Sequence, residues 1–297
     1  MMSKGLRELD KKVAVITGAA SGIGRGLAIG LWAKGCHLAL VDLDQERLQR
    51  LESELRASNE DGRISVHVAN VADKWRMKVL AEEVVEAHTH VHLLINNAGV
   101  GYEAAFPQTS LETWEHVVGV NLWGVIYGCH FFMPHLAKVD RAHIVNLSSL
   151  FGTVGMAGQT AYCATKYAVR GLSECLWEEL RATSIGLTVV HPGSIATNII
   201  KTSGCDDPQL MERIAAWYEK NAMPPEKAAR RIIAAIEKGK PRLMVTPEAY
   251  FADYVKRLLP VAGNKAICDL AIRVLDLEYM REKRRIQWTE TMVDGEP

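Results

Sequence analysis

What most constrains this chain is a rhythm. Seven short runs of β-branched and aliphatic residues recur along it: VAVIT (13–17), HLALVD (37–42), ISVHVA (64–69), HLLIN (92–96), HIVNLS (143–148), LTVVH (187–191) and RLMVT (242–246). They are apolar nearly throughout rather than alternating, as parallel strands covered on both faces are. Amphipathic helical patterns fill the intervals, as at 44–57, 73–87 and 225–238. Strand and helix in alternation imply right-handed βαβ units, so the predicted fold class is α/β, a doubly wound parallel sheet.

The first run leads directly into Thr17-Gly18-Ala19-Ala20-Ser21-Gly22-Ile23-Gly24, and a helical pattern follows. Glycines permit a tight turn and a close approach of backbone to an anion, and a helix N-terminus adds unpaired N–H groups and the positive end of its dipole. A glycine-rich turn alone is a weak signal. Between a strand and a helix it marks a dinucleotide pyrophosphate site, and Gly18, Ser21, Gly22, Ile23 and Gly24 are assigned to it.

Asp42 ends the second run, 18 residues beyond Gly24. A carboxylate there accepts from the adenosine ribose hydroxyls and repels a 2′-phosphate. Neither Ser21, before Gly22, nor Leu43, after Asp42, supplies a cation, and Arg47 one helical turn on reads as a solvated helix face. The expected cofactor is therefore NAD rather than NADP. The other reading of Asp42, a helix N-cap, is better served by Asp44.

The reactive groups follow the fifth run. Ser148-Ser149 closes it, and Tyr162-Cys163-Ala164-Thr165-Lys166 comes after a glycine-bearing loop. Tyr162 and Lys166, four residues apart, share one helical face. A phenol titrates near about 10, and an adjacent ammonium favours its ionised form. Lowering it by about three units takes roughly 4 kcal/mol, within reach if Lys166 and an oxidised nicotinamide act together. Tyr162 would then serve as a general acid/base near neutral pH. Tyr-x-x-x-Lys by itself is common by chance and equally describes a surface pair.

In combination these motifs resemble the short-chain dehydrogenases/reductases. The matching residues are the glycine turn at 17–24, Asn96-Asn97-Ala98-Gly99 after the fourth run, Asn121, Ser149, Tyr162 with Lys166, and His191-Pro192-Gly193 after the sixth, a span of roughly residues 10–246. The resemblance implies a Rossmann fold and hydride transfer between a nicotinamide cofactor and an alcohol or carbonyl carbon. It implies that Ser149 hydrogen-bonds the substrate oxygen and that Tyr162 exchanges the proton. Lys166 would hold the nicotinamide ribose, and Asn121 would anchor a water linking Lys166 to solvent. Asn97, Ala98 and Gly99 would line the adenosine side, while Gly193, Ile195 and Thr197 would meet the nicotinamide. One departure is Asn70, followed by Val71, where family members often carry Asp beside the adenine; Asn still offers a donor and an acceptor there.

The expected division is a catalytic and dinucleotide-binding domain over 1–247, with a substrate lid at 194–225, and a helical extension over 248–297 with helices near 248–259 and 263–277. An insertion after a strand's carboxyl end lies over the ligand crevice. The second tail helix is amphipathic; docking on protein is the expectation, on a neighbouring subunit or over its own pocket, with peripheral membrane contact as the alternative.

Other features exclude or redirect. Formal net charge is zero, so nothing favours nucleic acid as a partner. Six cysteines without C-x-x-C spacing fit buried free thiols in a reducing, cytoplasmic setting, and the charged N-terminus lacks the apolar core of a secretory signal. Residues 117–137 contain no Asp, Glu, Lys or Arg, the length of a membrane span, yet Asn121, His130, Pro134 and His135 favour a helix buried in protein. By resemblance, 117–137 and 160–181 would pack against a second subunit, giving a homodimer or homotetramer, with Trp123, Phe131 and Phe132 in the interface or core. His88, His90 and His92 could share a strand face and bind metal, but a helix end is the better reading, and no metal is expected. His191 reads as a hydrogen-bonded structural histidine and Cys163 as packing.

The expected activity is an NAD-dependent oxidoreductase acting on a small hydrophobic secondary alcohol or ketone of steroid, lipid or aromatic type. The apolar side chains near the expected pocket are Tyr102, Phe106, Phe151, Met156, Ile199, Ile200, Leu210, Met211 and Trp217. The rivals are an NADPH-dependent 3-ketoacyl reductase and a non-catalytic dinucleotide-binding sensor or scaffold.

Overall fold

Each of the seven apolar runs is a strand: β1 (Val13–Thr17), β2 (His37–Asp42), β3 (Ile64–Val68), β4 (Leu93–Asn96), β6 (Ala142–Leu147), β7 (Ile185–His191) and β9 (Arg242–Met244). The computed structural model describes residues 4–58, 61–197, 199, 204–205 and 208–274. The seven strands form one sheet in the order β3-β2-β1-β4-β6-β7-β9, every pair parallel. The winding reverses between β1 and β4, and at such a switch point the carboxyl ends open a crevice. Thr17 stitches that crevice at its base: its hydroxyl oxygen accepts from the N–H groups of Asn97 at 3.0 Å and Ala98 at 3.1 Å.

Helices cover both faces, which is why the strands are apolar throughout. One face packs against α1 (Gly22–Trp32), α2 (Gln45–Ser58) and α8 (Pro225–Lys238) through Leu27, Leu31, Leu48, Leu51, Ile232 and Ile236. The other packs against α3 (Lys74–His88), α5 (Gly124–Leu136) and α6 (Thr160–Glu179) through Met77, Leu80, Phe132, Leu136 and Val169. Burying each such side chain contributes roughly 1.5–3 kcal/mol. Asp73 caps α3, accepting from the N–H groups of Trp75 and Arg76.

The uncharged stretch is part of a longer helical run than its composition marks out. It begins at Ser110, which caps α4 (Leu111–Val118), passes through one π-helical turn at Gly119–Trp123 and continues as α5. The run is long and apolar enough to cross a membrane, but Val117, Val125, Cys129, Phe132 and Leu136 are buried in the core. Trp123, Tyr127 and Phe131 form a ladder outside it, with ring centres 5.4 and 6.3 Å apart.

Two additions stand over the carboxyl ends. A small parallel pair joins β5 (Tyr102–Glu103) to β8 (Gly204–Cys205), and α7 (Pro208–Asn221) follows. Beyond β9 come α9 (Pro247–Leu258) and α10 (Ala262–Val274); residues 275–277 of the expected second tail helix lie outside the described residues. Asn264 fastens α10 by mimicking a peptide group. Its amide accepts from the Gly155 N–H and donates to the Gly155 carbonyl, both at 3.0 Å, and the Cys268 thiol donates to the same carbonyl at 3.0 Å.

Cys36, Cys129 and Cys163 are buried free thiols, but Cys175 is exposed and Cys268 half-buried, so burial does not extend to every cysteine as expected. His88 ends α3 and bonds the Ser65 hydroxyl at 2.8 Å, while His92 Nδ1 accepts from the Val13 N–H. The three histidines therefore do not share a strand face, and no metal-binding cluster occurs among the described residues.

Candidate active site

The glycine turn leaves β1 at Gly18, whose φ of +66° is left-handed and whose Cα lies against Ala98: a Cβ would come within 2.9 Å of the Ala98 Cα. Only glycine takes both constraints easily. Ser21 stands at the N-cap of α1 but makes no side-chain cap bond, and the first turn holds no acidic residue. The leading N–H groups are thus left to an external anion. Gly18, Ser21, Gly22 and Ile23 line one large cavity of about 730 Å³. Gly24 does not line it; a Cβ there would come within 2.0 Å of the Gly18 carbonyl oxygen. Its small size lets the turn pack closely on the start of α1.

Asp42 closes the adenosine end. Its Oδ2 accepts from the Ala20 N–H at 2.9 Å, and its Oδ1 accepts from the N–H groups of Leu43 and Asp44 at 2.8 and 3.2 Å. Asp42, Leu43, Asn70, Val71, Asn97, Ala98 and Gly99 all line the cavity. Asn70 Oδ1 accepts from the Ala72 N–H at 3.0 Å. Asn97 holds the glycine turn, donating to the carbonyls of Thr17 and Gly18 at 2.9 and 3.1 Å. Arg47 also lines this end, where it pairs with Asp44 at 3.1 Å. It is therefore a wall residue, not merely the solvated helix face expected.

At the centre, Ser149, Tyr162 and Lys166 converge on the cavity. The Ser149 hydroxyl accepts from the Phe151 N–H at 3.1 Å and is near enough to the Tyr162 phenol to favour its ionised form. Lys166, 3% exposed, donates to the Leu147 carbonyl at 3.1 Å and lies 5.5 Å from the centre of the Tyr162 ring. Burial dominates both titrations: it pushes the Tyr162 phenol up to about 12, against a smaller lowering by Ser149, and the Lys166 ammonium down to about 8. The expected acidification joins Lys166 to an oxidised nicotinamide; in the protein alone, burial is the larger influence on the phenol. Spacing on a helix shows the cation but not the loss of water around both groups.

Asn121 lies in the π turn and does not line the cavity. Its Oδ1 accepts from the Val100 N–H at 2.9 Å, and its Nδ2 donates to the Val100 carbonyl at 2.8 Å and to the Thr165 hydroxyl at 3.4 Å. It is nonetheless adjacent to the reactive groups: a Cβ on Gly99 would lie 3.1 Å from Asn121 Oδ1 and 3.4 Å from Lys166 Nζ. The side chain fixes the turn beside Lys166. His191 is the structural histidine expected. Burial holds it neutral, down to about 4, and its Nδ1 bonds the Ser149 carbonyl at 2.9 Å. Cys163 points to the Val154 carbonyl.

Gly193, Ile195 and Thr197 line the far side, with Phe151, Met156, Ile199 and Trp217. Tyr102, Phe106 and Met211 do not: the Tyr102 ring covers Gly204, and Phe106 meets Trp114 edge-on. Ile200 and the Leu210 side chain lie outside the described residues.

The sequence profile described as short chain dehydrogenase matches residues 12–207, which hold the glycine turn and the whole reactive group. The chain belongs to the short-chain dehydrogenase/reductase family. Relatives agree. SadH of Mycobacterium tuberculosis, named as an oxidoreductase, is 36% identical over 261 residues, 86% of this chain and 93% of its own. The 3-oxoacyl-[acyl-carrier-protein] reductase FabG of Thermotoga maritima is 35% identical over 189 residues, covering 64% of this chain and 76% of its own. A short-chain dehydrogenase/reductase from Burkholderia phymatum, solved in complex with NAD, superposes with a TM-score of 0.80 at 29% identity, covering 84% of this chain and 94% of that one. A metagenomic short-chain oxidoreductase solved with NADP gives a TM-score of 0.67 at 28% identity over 81% and 99%. As a short-chain dehydrogenase/reductase, the chain is an NAD(P)-dependent oxidoreductase of CH–OH groups.

This short-chain dehydrogenase/reductase also has wall residues that sequence reasoning missed. Glu103, Gln159, Tyr218 and Glu248 line the cavity, as do Phe251, Ile267 and Leu270 from the extension. Glu248 Oε1 accepts from the Ser194 N–H at 2.9 Å and lies against Gly193, where a Cβ would approach it to 2.6 Å. Nothing in the local sequence marks these residues. They reach the cavity from β5, the N-cap of α6, α7 and the two final helices.

Proposed function

We propose that this chain interconverts a hydrophobic secondary alcohol and its ketone using NAD(H), with Tyr162 handling the proton. The observation that carries the reading is the convergence of the Ser149 and Tyr162 hydroxyls on a cavity walled by Phe151, Val154, Met156, Trp217 and Ile267. The residues present fit a nicotinamide dinucleotide: the first turn of α1 keeps its N–H groups free of a side-chain cap, and Asp42 faces the same cavity. When bound, that cofactor supplies or takes up the hydride. Ser149 would orient the substrate oxygen, and Tyr162 would give it a proton in reduction and remove one in oxidation. Lys166, fixed by the Leu147 carbonyl, would hold the nicotinamide ribose and stabilise the phenolate. Asn121 would steady the backbone beside it, where a water could carry the proton outward.

The NAD preference rests on Asp42, whose carboxylate would repel a 2′-phosphate. A second reading, an NADPH-dependent 3-oxoacyl reductase, is favoured by Arg47 on the same wall and by the likeness to FabG. Titration with NADH and NADPH, then a screen of apolar ketones using wild type and Tyr162→Phe, tests both. Tighter NADH binding, with turnover lost in Tyr162→Phe while NADH binding survives, supports the first reading. Preference for NADPH with turnover of 3-oxoacyl thioesters supports the second.

The ladder of Trp123, Tyr127 and Phe131 supports a further proposal, that a second copy of the chain covers α5. Sedimentation of wild type and Trp123→Lys reads the assembly state. The buried thiols fit a reducing, cytoplasmic setting.

A further inference from the structure

The substrate part of the cavity has an inner wall and an outer one, joined at a single residue. The inner wall begins at the reactive phenol. The Phe151 ring meets Tyr162 edge-on with 6.2 Å between ring centres, and Val154 and Met156 follow on the same segment. Gly155, between those two, is where Asn264 and Cys268 fasten α10. The outer wall is α10 itself, which lines the cavity with Ile267, Leu270, Ala271, Ile272 and Val274. Every one is aliphatic, and Lys265, Asp269 and Arg273 of the same helix are not part of the lining.

Ile267, Leu270, Ala271 and Val274 recur at i, i+3, i+4 and i+7, the spacing of one helical face. From Ile267 to Val274 that face advances about 10 Å along the helix axis. Burial falls along the same route. Val154 is fully buried, Ile267 is half-buried, and Leu270 and Val274 are each 51% exposed. Phe251, which lines the cavity from α9, is 58% exposed. A side chain that lines the cavity and also stands half in water marks where the cavity meets solvent. Among the described residues, the apolar wall therefore runs from the reactive group out to the surface.

We infer that the substrate is a long-chain aliphatic ketone or secondary alcohol, with its oxygen near one end and its chain laid along α10 to the outer edge of the cavity. The inference rests on the proposed alcohol–ketone reading and names the class of molecule within it. A compact ketone would occupy the inner wall and leave Phe251, Leu270 and Val274 wet. A chain that reaches them removes their apolar surface, and its own, from water. A flexible chain can also follow a wall assembled from the segment after β6 and from α10, whereas a fused ring system has one fixed shape. Burying a methylene completely is worth about fourfold in an equilibrium, and a wall on one side of it gives roughly twofold.

The test uses 2-butanone, 2-hexanone and 2-decanone, with 2-decalone as a compact ketone of the same carbon number as the last. Values of kcat/KM are compared for wild type, Leu270→Asp and Val274→Asp, each with NADH and NADPH. The readout is the ratio between ketones within each protein, so a general loss of activity in a variant cancels. Wild type is expected to prefer 2-decanone to 2-butanone by about thirtyfold or more, from the added methylenes at roughly twofold each. It should also prefer 2-decanone to 2-decalone. A carboxylate placed where the chain lies should cut the first ratio by about tenfold in at least one variant. Turnover of 2-butanone with a flat response to chain length, or with 2-decalone preferred to 2-decanone, would overturn the long-chain class while leaving the alcohol–ketone reading intact. The expected wild-type ratios persisting unchanged in both variants would overturn the path along α10. No turnover of any of these ketones with either nicotinamide would overturn the underlying reading, and the long-chain class with it.

Discussion

The Lys166 ammonium lies 5.5 Å from the centre of the Tyr162 ring, and burial drives both groups toward their neutral forms. In the protein alone the pair is a phenol and a reluctant cation, not a preformed phenolate–ammonium pair. Ionisation of Tyr162, read as the phenolate absorbance of wild type minus Tyr162→Phe, is expected at about 12 in the protein alone. Adding oxidised nicotinamide cofactor, whose ring is positive, should bring it down. Ionisation near neutrality before any cofactor is added would show that burial does not dominate.

Lys166 carries a stability cost with a definite pH signature. Its folded pKa of about 8 lies below the ordinary 10.5. The unfolded chain therefore binds the extra proton between those values, and stability rises with pH across that window. Lys166→Met is expected to abolish turnover yet raise stability at neutral pH by on the order of 1–3 kcal/mol. Thermal melts of both proteins at neutral and alkaline pH should converge as pH rises.

Acid should act through buried histidines. His143 Nε2 donates to the Thr188 hydroxyl at 2.8 Å, and burial lowers His143 and His191 from 6.5 to about 4. Their contribution is complete above 6.5 and is lost as pH falls toward 4, because the unfolded chain takes up the protons first. Denaturant midpoints measured across that window should fall steeply in wild type and less steeply in His143→Gln.

Asp42 is asked to do two things. Asp42→Asn should reduce any preference for NADH over NADPH by about tenfold or more in binding titrations. It should also cost roughly 1–3 kcal/mol in unfolding, because three backbone N–H groups depend on that carboxylate. A changed preference at unchanged stability would mean that those N–H groups find other acceptors.

Asn264→Ala removes two hydrogen bonds to Gly155. The expected outcome is a rise of several-fold in KM for apolar ketones with NADH binding unaltered, since α10 reaches the substrate part of the cavity through Ile267 and Leu270.

The parallel sheet was legible because burial on both faces leaves a direct mark, an uninterrupted apolar run, and all seven runs are strands. The glycine turn, Asp42 and the Ser149–Tyr162–Lys166 group were legible because they sit at strand ends or at fixed helical spacing, which topology brings to one edge. The packing role of Gly24 was not legible, because a glycine needed for packing and one needed for ligand approach look alike in sequence. That burial raises the Tyr162 phenol in the protein alone was not legible, because helical spacing shows the neighbouring cation but not the loss of water. Glu103 and Glu248, 145 residues apart, meet at one cavity only after the whole chain has folded, and neither carries a local signature.

The roof over the cavity has one more consequence. The lining at the glycine turn, the adenosine end and the reactive group, from Gly18 to Lys166, is complete well before α9 begins, whereas Phe251, Ile267 and Leu270 follow it. A polypeptide emerging from a ribosome would thus carry every residue from Gly18 to Lys166 that lines the cavity while Phe251, Ile267 and Leu270 were still untranslated, so the last part of the wall to be made is the part the two final helices supply.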